Sequence, residues 1–543
     1  MKNAPHWPRH FHLIGSTQAT RAEAATPANM GSKAYHLQQM SAIGLPVPQA
    51  LVIGTAFTQR PEDCLLPLFS VALPALEAAT GLTLGDSKSP LVVSVRSGAP
   101  VSMPGMMETL LNVGLSDATL PGLLRQTGNP RLVWDAYRRL IATYGEVVAG
   151  LPGQLFEDEM TRFTGGRDDR ALDFSELREL SQRFLELYRL HAGDAFPQDA
   201  RDQLSGAVKA VYASWHLPKA AAYRHSHAID EAIGTAVTIQ RMVFGNAGGH
   251  SGSGVGFTRH PTDGTPGLWV DFLVNAQGED VVAGQRNAHG HSALAQVAPD
   301  AWSQLQIAAL RLERMFGDMQ DFEFTIEEGA LYLLQTRSGK RTPVATARIA
   351  LDLMDEGLID ATTARARTAS IEDEDLATEQ LVFDGGDPTG ASAPEGVAEA
   401  IAACGGVAGG EVALDIDRVQ ERTRAGIPVV LVRQDALTSD MAALETAVGL
   451  LTQRGARTSH AAVVARQLNK VCLVGCTALR IDDTRRCIQL GEQTIAEGDW
   501  ITLDGNTGRV YVGKVSSIRV TDEALRQRLH KLRHQRTHDH EPS

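Results

Sequence analysis

Apolar and polar residues alternate along this chain with two different periods. A spacing near 3.6 predicts amphipathic helices at 33–43, 132–149 and 174–190. Short β-type runs predict strands at 50–53, 236–243, 267–274, 321–326 and 330–335. In order, these elements predict an α/β region at about 30–115, a helical subdomain at about 117–235 and a β-rich region up to about 340.

The pattern changes beyond residue 340. Two short helices are predicted at 345–354 and 361–367, and the glycine, proline and serine residues of 385–394 predict a flexible tether. A further domain follows, and its end at 500–511 is predicted to form two strands joined by an Asp-Gly turn. The basic, histidine-containing tail is predicted to be a solvated helix that fades into disorder.

Composition restricts the classes of protein to consider. The chain has 543 residues, 43% of them hydrophobic, and a net charge of -13, so three or four domains with sizeable cores are expected. The negative charge argues against nucleic acid or an anionic membrane as a partner. We find no signal peptide and no run of about 20 apolar residues. These features and the five cysteines predict a cytoplasmic protein with reduced thiols.

Two sets of residues invite a metal-site interpretation. Cys472 lies in a run, 471–474, that is typical of a buried strand, Cys476 follows it, and no second Cys or His pair stands at zinc spacing. The histidines of the tail, between 530 and 540, are the other set. In both places a structural role is the favoured interpretation.

The segment 453–466 carries the strongest chemical signal. Thr458 and Ser459 suit a helix N-cap, His460 falls in the first turn, and the alanine-rich run after it supplies the helix. Free N–H groups and the positive end of the helix dipole can hold a phosphoryl group. Strand-like runs at 449–455 and 472–476 flank this helix. We interpret His460 as a phosphohistidine; the alternative is a capped surface helix with an incidental histidine.

This unit resembles the central domain of the pyruvate, phosphate dikinase family. Further blocks that resemble the family occur in family order at 31–34, 94–99, 102–107, 242–246, 275–284, 320–327 and 334–337. The resemblance covers about 30–515 and implies a multidomain α/β and α+β fold, in which a linker joins an ATP-grasp module to a swivelling phosphohistidine domain. The implied domains are 1–343 for ATP-grasp, 344–394 for linker helices and tether, 395–515 for phosphohistidine and 516–543 for the tail.

The resemblance also implies roles for individual residues. Catalytic roles fall on His460, Arg337 and Arg96, with Lys33 and Arg96 gripping the phosphates of ATP. The adenine is expected against Gln240, Met242 and Val243. A glycine-rich loop at 246–256, including Gly252 and Gly254, is interpreted as a flexible lid over the phosphates. Glu279 is assigned to nucleotide or metal contacts.

A magnesium site is predicted from the spacing of two carboxylates. Asp321 and Glu323 stand two apart in a strand-like run, so both side chains leave the same face of the strand. Magnesium favours such oxygen ligands together with phosphates. Gln335, in the neighbouring predicted strand, would add a carbonyl oxygen. The alternative is a solvated strand face, and the apolar neighbours favour the metal role.

Three sites depart from the pattern expected of the dikinases. Cys404-Gly405-Gly406 stands where Ser-Pro-Gly is usual, and Ala456-Arg457 replaces Gly-Met. Gly249-His250 replaces an acidic pair in the lid. We expect Arg457 to add positive charge near the phosphohistidine and His250 to alter lid closure.

The expected activity is the half-reaction with ATP and inorganic phosphate, which forms AMP, pyrophosphate and phosphorylated His460. The sequence has no counterpart of the family's phosphoenolpyruvate/pyruvate barrel, so the acceptor is expected on a separate barrel-bearing protein or to be a small molecule. Two alternatives are a small-molecule dikinase like the antibiotic phosphotransferases, for which the 341–394 linker is short, and a non-catalytic nucleotide-sensing regulator.

Overall fold

A computed structural model describes residues 6–16, 24–101, 103, 105–167, 169–282, 290–383, 396–435, 440–457 and 460–534. The predicted tether, Thr458, Ser459, the tail after 534 and the side chain of His460 lie outside this description. The chain divides into two compact units, Met1–Gly248 with Tyr332–Thr336, and Gly249–Leu331 with Arg337–Ser543. Helices and several sheets are mixed in it, which confirms the predicted multidomain α/β and α+β class, whereas the domain boundaries stay predictions.

The first unit contains a five-stranded antiparallel sheet of order β1-β2-β5-β3-β4. Its strands are β1 Phe11–Ile14, β2 Ala50–Ile53, β3 Val93–Gly98, β4 Thr109–Val113 and β5 Ala236–Arg241. Its helices are α1 Pro27–Met30, α2 Ser32–Ala42, α3 Leu65–Pro67, α4 Leu73–Thr80, α5 Leu120–Thr127, α6 Pro130–Val147, α7 Gln154–Thr164, α8 Phe174–Ala192, α9 Ala200–Ala213 and α10 Pro218–Ser226. The predicted helices and strands of this part are confirmed, with ends that differ by at most two residues.

The core of the first unit lies on one face of this sheet. Val93, Val95, Val237 and Ile239 are fully buried in one cluster with residues of α6, α8 and α9. Successive side chains of a strand point to opposite faces, so the residues between them occupy the other face. Helix α8 begins where the side chain of Asp173 caps it, as the sequence pattern of a capping box requires.

One prediction about apolar runs was wrong. The stretch Pro61–Thr80 is long and apolar enough to cross a membrane by length and composition. The stretch is not an unbroken apolar run, because Glu62, Asp63, Pro67 and Pro74 interrupt it, and it folds as successive helical segments that include a short π-helix at Leu68–Ala72. Its residues Leu68, Leu73 and Leu76 are buried in the core of the first unit, and core helices commonly pass the same length and composition test.

The second unit begins with a sheet in which β6 lies between β7 and β8, antiparallel to both. The elements of this part are β6 Gly252–Arg259, β7 Pro266–Val274, α11 Gly278–Val282, α12 His291–Val297, α13 Pro299–Phe316, β8 Gln320–Glu327 and β9 Ala330–Ser338. Residues 332–336 of β9 belong to the first unit, where the N–H of Leu333 donates to Pro46 O at 2.7 Å. The strands predicted at 267–274, 321–326 and 330–335 are confirmed.

The rest of the second unit carries the domain that contains His460, which we call the histidine domain (residues 396–512). Two helices and a strand precede it, α14 Pro343–Asp355, α15 Ala361–Arg367 and β10 Ala377–Val382. Its elements are β11 Ala398–Glu399, β12 Ile401–Cys404, β13 Val407–Ala413, α16 Ile416–Arg424, β14 Val429–Arg433, α17 Met441–Thr446, β15 Gly449–Thr452, α18 His460–Gln467, β16 Val471–Val474, β17 Leu479–Asp482, β18 Cys487–Leu490, β19 Gln493–Ala496, β20 Trp500–Asp504 and β21 Arg509–Val512. Eight of these strands form one sheet, of order β11-β21-β20-β13-β14-β15-β16-β12.

The histidine domain confirms the predicted strand, turn, helix, strand order. Strands β13, β14, β15 and β16 are parallel neighbours at the centre of the sheet. Parallel strands need crossover connections, and α18 is the crossover between β15 and β16. His460 is therefore the first residue of a helix that starts at the carboxyl end of a buried strand.

The chain after the histidine domain was predicted incorrectly as a solvated helix. Strand β22 (Ser516–Thr521) pairs antiparallel with β10, and α19 (Glu523–His534) follows it. Leu525, Leu529 and Leu532 of α19 are buried in one cluster with residues of α14 and α15. Their spacing of three and four residues places them on one helix face, a signal that the many charges between them obscured.

The thiols provide a test of this fold. All five cysteines are free, and Cys487 alone is partly exposed. Burial raises the pKa of Cys404 to about 11 and that of Cys64 and Cys472 to about 12. A thiol with a raised pKa stays protonated until the pH passes that value, and the thiolate is the reactive form. We expect one fast-reacting thiol with Ellman's reagent at pH 8 in the native protein and none in Cys487→Ser. A second fast thiol would contradict the burial described.

Candidate active site

The polar face of the first sheet carries two of the predicted nucleotide residues. Arg96 on β3 lies opposite Thr238 on β5, and Ser94 lies opposite Gln240. Because residues two apart share a face, all four side chains lie on the face of the sheet opposite the apolar core. Gln240 is buried and its side-chain amide donates to Pro48 O at 3.4 Å. A cation and an amide therefore share this face as diagonal neighbours on adjacent strands.

Lys33 reaches the same end of the sheet because α2 begins there. Gly31, with φ +77°, precedes the helix, and a Cβ at this position would lie 1.9 Å from the carbonyl oxygen of Gly98 at the end of β3. The N–H of Ser32 donates to Ala99 O at 3.1 Å. Only glycine permits this approach, and it sets Lys33 in the first turn of α2, close to the strand that carries Arg96.

The loop interpretation of 246–256 was wrong for its second half. Gly252, Gly254 and Gly256 lie in β6, the buried strand between β7 and β8, so the sheet uses their backbone hydrogen-bonding groups. A Cβ on Gly254 would lie 2.4 Å from the ring of Phe324, and the other two glycines meet Phe272 and Phe322 in the same way. Because these glycines have no side chain, the three phenylalanine rings can pack directly against the backbone of β6. We call this side of the sheet the glycine face.

The opposite side of this sheet, which we call the carboxylate face, has a different character. Register and alternation place on it Val255, Phe257, Trp269, Asp271, Asp321 and Glu323. Asp271 and Asp321 are buried, with 2% and 3% of their surface exposed. Buried carboxylates need compensating partners. On this face, these partners are arginines.

Arg337 compensates Asp321. Its Nε donates to Asp321 Oδ2 at 2.9 Å, and its side chain is about one-third exposed, so it borders both the buried carboxylate and solvent. Burial raises the pKa of Asp321 above its usual range, although Arg337 and Arg466 oppose the shift and Glu323 adds to it. Burial would lower the pKa of Arg337, but Asp321 and Glu323 outweigh it and raise that pKa.

The donor set on β8 fits a hard cation. Asp321 and Glu323 stand two apart on one face of one strand and so offer oxygen atoms to the same side of the sheet. Oxygen ligands of this kind suit Mg²⁺. Gln335 is buried in β9. Among the described residues, no group of three or more His, Cys, Asp and Glu side chains is arranged to hold a metal, so phosphate oxygens would have to complete the site.

The histidine domain rests on the carboxylate face. Arg457, three residues before His460, donates from Nε to Asp271 Oδ1 at 2.8 Å, and its guanidinium lies 4.2 Å from the centre of the Trp269 ring. The charge of Arg457 is therefore compensated by a buried carboxylate. Because the side chain of His460 lies outside the described residues, the expectation that Arg457 adds positive charge near the phosphohistidine stays a prediction.

Arg466 fixes the same segment from the far end of α18. This guanidinium is 1% exposed, donates to Arg457 O at 2.8 Å and to Ala403 O at 3.0 Å, and lies 5.1 Å from the Phe257 ring. Burial lowers its pKa. The two arginines thus connect both ends of the His460 helix to the face that carries Asp321 and Glu323.

The sequence reading missed three of these residues, namely Trp269, Asp271 and Arg466. Asp271 had a usable signal, because a carboxylate inside the apolar strand 267–274 requires a partner, as Asp321 does in 321–326. Arg466 ends the segment 453–466, and nothing in its sequence context predicts burial. Nothing local indicates that a residue of one domain will pair with a strand nearly 200 positions earlier.

The other predicted residues are more dispersed. Met242 and Val243 follow β5 in the first unit, where the N–H of Met242 donates to Val92 O at 2.9 Å. Glu279 is exposed in the first turn of α11. His250 is exposed, and its Nδ1 lies 3.0 Å from Val297 O. Their predicted roles toward a nucleotide or its lid stay predictions.

Two family models match this chain, first one of a nucleotide-binding domain and then one of a mobile domain. The family model of the pyruvate phosphate dikinase AMP/ATP-binding domain matches residues 75–290 and 289–357. The model of the PEP-utilising enzyme mobile domain matches residues 427–508. The chain belongs to the pyruvate, phosphate dikinase family, which confirms the resemblance found in its sequence and the predicted fold class.

Several relatives extend this result. Pyruvate, phosphate dikinase of Clostridium symbiosum is 42% identical over 503 residues, which are 90% of this chain and 56% of that protein. The Rhizobium meliloti (strain 1021) dikinase is 39% identical over 93% of this chain and 58% of its own length. The chloroplastic dikinase 1 of Zea mays is 40% identical over 89% and 52%. The chain spans about half the length of these relatives. Their names place it in an enzyme family and favour neither alternative function.

The glycine face allows the lid interpretation to be tested at one position. We expect Gly254→Ala to lower the thermal unfolding midpoint by several degrees, because its methyl group would overlap the Phe324 ring and overpacking costs about 1–3 kcal/mol. Gly249→Ala is the control, since a Cβ there meets no atom within 4 Å. A Gly254→Ala protein with wild-type stability and weakened ATP binding would instead favour the lid.

Proposed function

We propose that this chain transfers a phosphoryl group from ATP to His460, with inorganic phosphate as co-substrate. The observation that carries the proposal is the arrangement in the second unit, where the helix that begins at His460 rests on the face bearing Asp321, Glu323 and Arg337. A nucleophile, carboxylates for a metal ion and a cation for developing charge are the parts that phosphoryl transfer requires.

The proposed transfer has two steps. A ring nitrogen of His460 attacks the β-phosphorus of ATP, and the bond to the oxygen of AMP breaks, so AMP leaves with that electron pair. The pyrophosphorylated histidine then gives its terminal phosphoryl group to inorganic phosphate, which forms pyrophosphate. Phosphohistidine remains. No oxidation or reduction occurs, and the phosphoryl groups of ATP are all accounted for.

The charged residues have distinct proposed roles. Lys33 and Arg96, on the first unit, bind phosphate oxygens. Arg337 stabilises the charge that develops on the transferred group, because its guanidinium is held in place by Asp321 before the reaction starts. Asp321, Glu323 and Gln335 are the residues that would hold Mg²⁺, which neutralises phosphate charge when it is bound.

After these steps, phosphohistidine passes its phosphoryl group to an acceptor. The relatives' names specify pyruvate, and we propose pyruvate as this acceptor, bound by a second protein or a further domain. Since the histidine cannot be at the ATP and the acceptor at once, the histidine domain has to move between them. We propose that the segment between β21 and β22 allows that motion.

The nucleophile assignment can be tested directly. We expect His460→Asn to abolish acid-labile protein labelling from β-³²P-ATP, because the only proposed nucleophilic nitrogen is lost while nucleotide-binding residues are untouched. ATP affinity, measured by calorimetry, should stay near wild type. His191→Asn, an exposed histidine on α8, is the matched control. Labelling that persists in the His460 variant would refute the assignment.

A second test addresses Arg337. We expect Arg337→Ala to slow phosphohistidine formation by about two orders of magnitude, because it removes charge stabilisation that is strongest in the transition state. Arg337→Lys should retain more activity, although a single ammonium cannot reproduce the guanidinium geometry. Lys340→Ala, an exposed cation three residues along, controls for the loss of charge. Rapid-quench rates near wild type in Arg337→Ala would exclude this role.

A further inference from the structure

One of the three departures from the dikinase pattern and part of a second converge on one interface. Ala456, in place of glycine, is fully buried in a cluster with Val255, Leu273, Ala276 and Val281 of the first part of the second unit. Arg457, in place of methionine, contacts Asp271 and Trp269. Gly405, in place of proline, lies where a Cβ would be 2.9 Å from the Thr262 side chain.

Arg457 makes three kinds of contact with β7. Besides the bond to Asp271, its Nη2 donates to Val270 O at 3.1 Å, and its guanidinium stacks over Trp269. A planar guanidinium can make such contacts simultaneously, whereas the methionine usual in the family has no donor for Asp271. The side chain is 19% exposed, so the bond is largely shielded from water.

Asp271 depends on this contact. Its carboxylate is 2% exposed, and among the described residues Oδ2 has no hydrogen-bond partner. Arg466 contributes charge at a distance, but Arg457 provides the one ion pair described for Asp271. If Arg457 is lost, a docked histidine domain leaves this carboxylate buried without a partner, which is strongly unfavourable. If the histidine domain separates from the carboxylate face, water can hydrate the Asp271 carboxylate.

We propose that Arg457 is a positioning residue that holds the histidine domain on the carboxylate face, and so presents His460 for phosphoryl transfer from ATP. The consequence for the reaction rests on the proposed function, whereas the docking does not. Arg457 sets how often the histidine occupies the ATP-side position, and it does not touch the reacting atoms. Asp271 and Trp269 form the surface that the Arg457 side chain contacts when the domain is docked.

The central variant is Arg457→Met, which restores the family's usual residue. We expect the single-turnover rate of phosphohistidine formation to fall by about tenfold or more, as for loss of one partner of a buried interface ion pair, while the Kd for ATP stays within about twofold. Arg457→Lys should give an intermediate rate. Arg454→Met is the matched control, because this arginine of the same segment is 43% exposed and pairs with Asp435 instead.

Docking is measured separately by hydrogen exchange, without nucleotide. Arg457→Met should speed exchange in 266–274 and 460–467, and Arg454→Met should not. Adding Asp271→Asn to Arg457→Met should partly restore protection and rate, because it removes the unpaired buried charge. This partial rescue would not follow from a general loss of packing.

The outcomes separate the two proposals. Wild-type exchange in Arg457→Met would overturn the docking, and faster exchange with an unchanged rate of phosphohistidine formation would overturn the positioning role. If the wild-type protein forms no phosphohistidine while exchange responds as expected, the proposed function fails and docking by Arg457 stands.

Discussion

Two buried carboxylates, Asp271 and Asp321, set the organisation of the second unit. Each lies on the carboxylate face of the β6–β7–β8 sheet, where an isolated charge is costly and an arginine must compensate it. Arg337 comes from the neighbouring chain segment and Arg457 from the histidine domain. The first pair therefore organises the candidate site, and the second attaches the histidine domain to the same face.

The same sheet has an opposite face built on a different principle. Three alternate glycines of β6 leave room for the rings of Phe272, Phe322 and Phe324. Close packing of rings against backbone makes a rigid support, because few rearrangements could relieve the overlap that any side chain would create. Strand β6 lies between β7 and β8, so it contributes both to the closely packed glycine face and to the carboxylate face of the candidate site.

Attachment by an ion pair would suit the motion that we propose for the histidine domain. An apolar interface of the same size would resist separation over its whole area, whereas Asp271 and Arg457 can each be solvated once the domain moves away. The apolar part of the contact is small and centres on Ala456. The connections of the histidine domain support the same view, since β10 and β22 pair with each other and keep its entry and exit strands together. The α19 helix then packs beside α14 and α15 and gives that pair of strands a fixed base.

The sequence by itself determined most of the local structure. Hydrophobic spacing located α2, α6, α8 and the strands, and the cap and alanine run located α18, because these signals depend on neighbours within a few turns. It also identified Asp321, Glu323 and His460 as the residues to consider. Tertiary structure alone decided that Gly252 and Gly254 belong to a core strand, that α19 is packed and that Arg457 pairs with Asp271. Each of these depends on a contact between residues far apart in the chain, and no local pattern records which distant side chain will compensate a buried charge or fill the space beside a glycine.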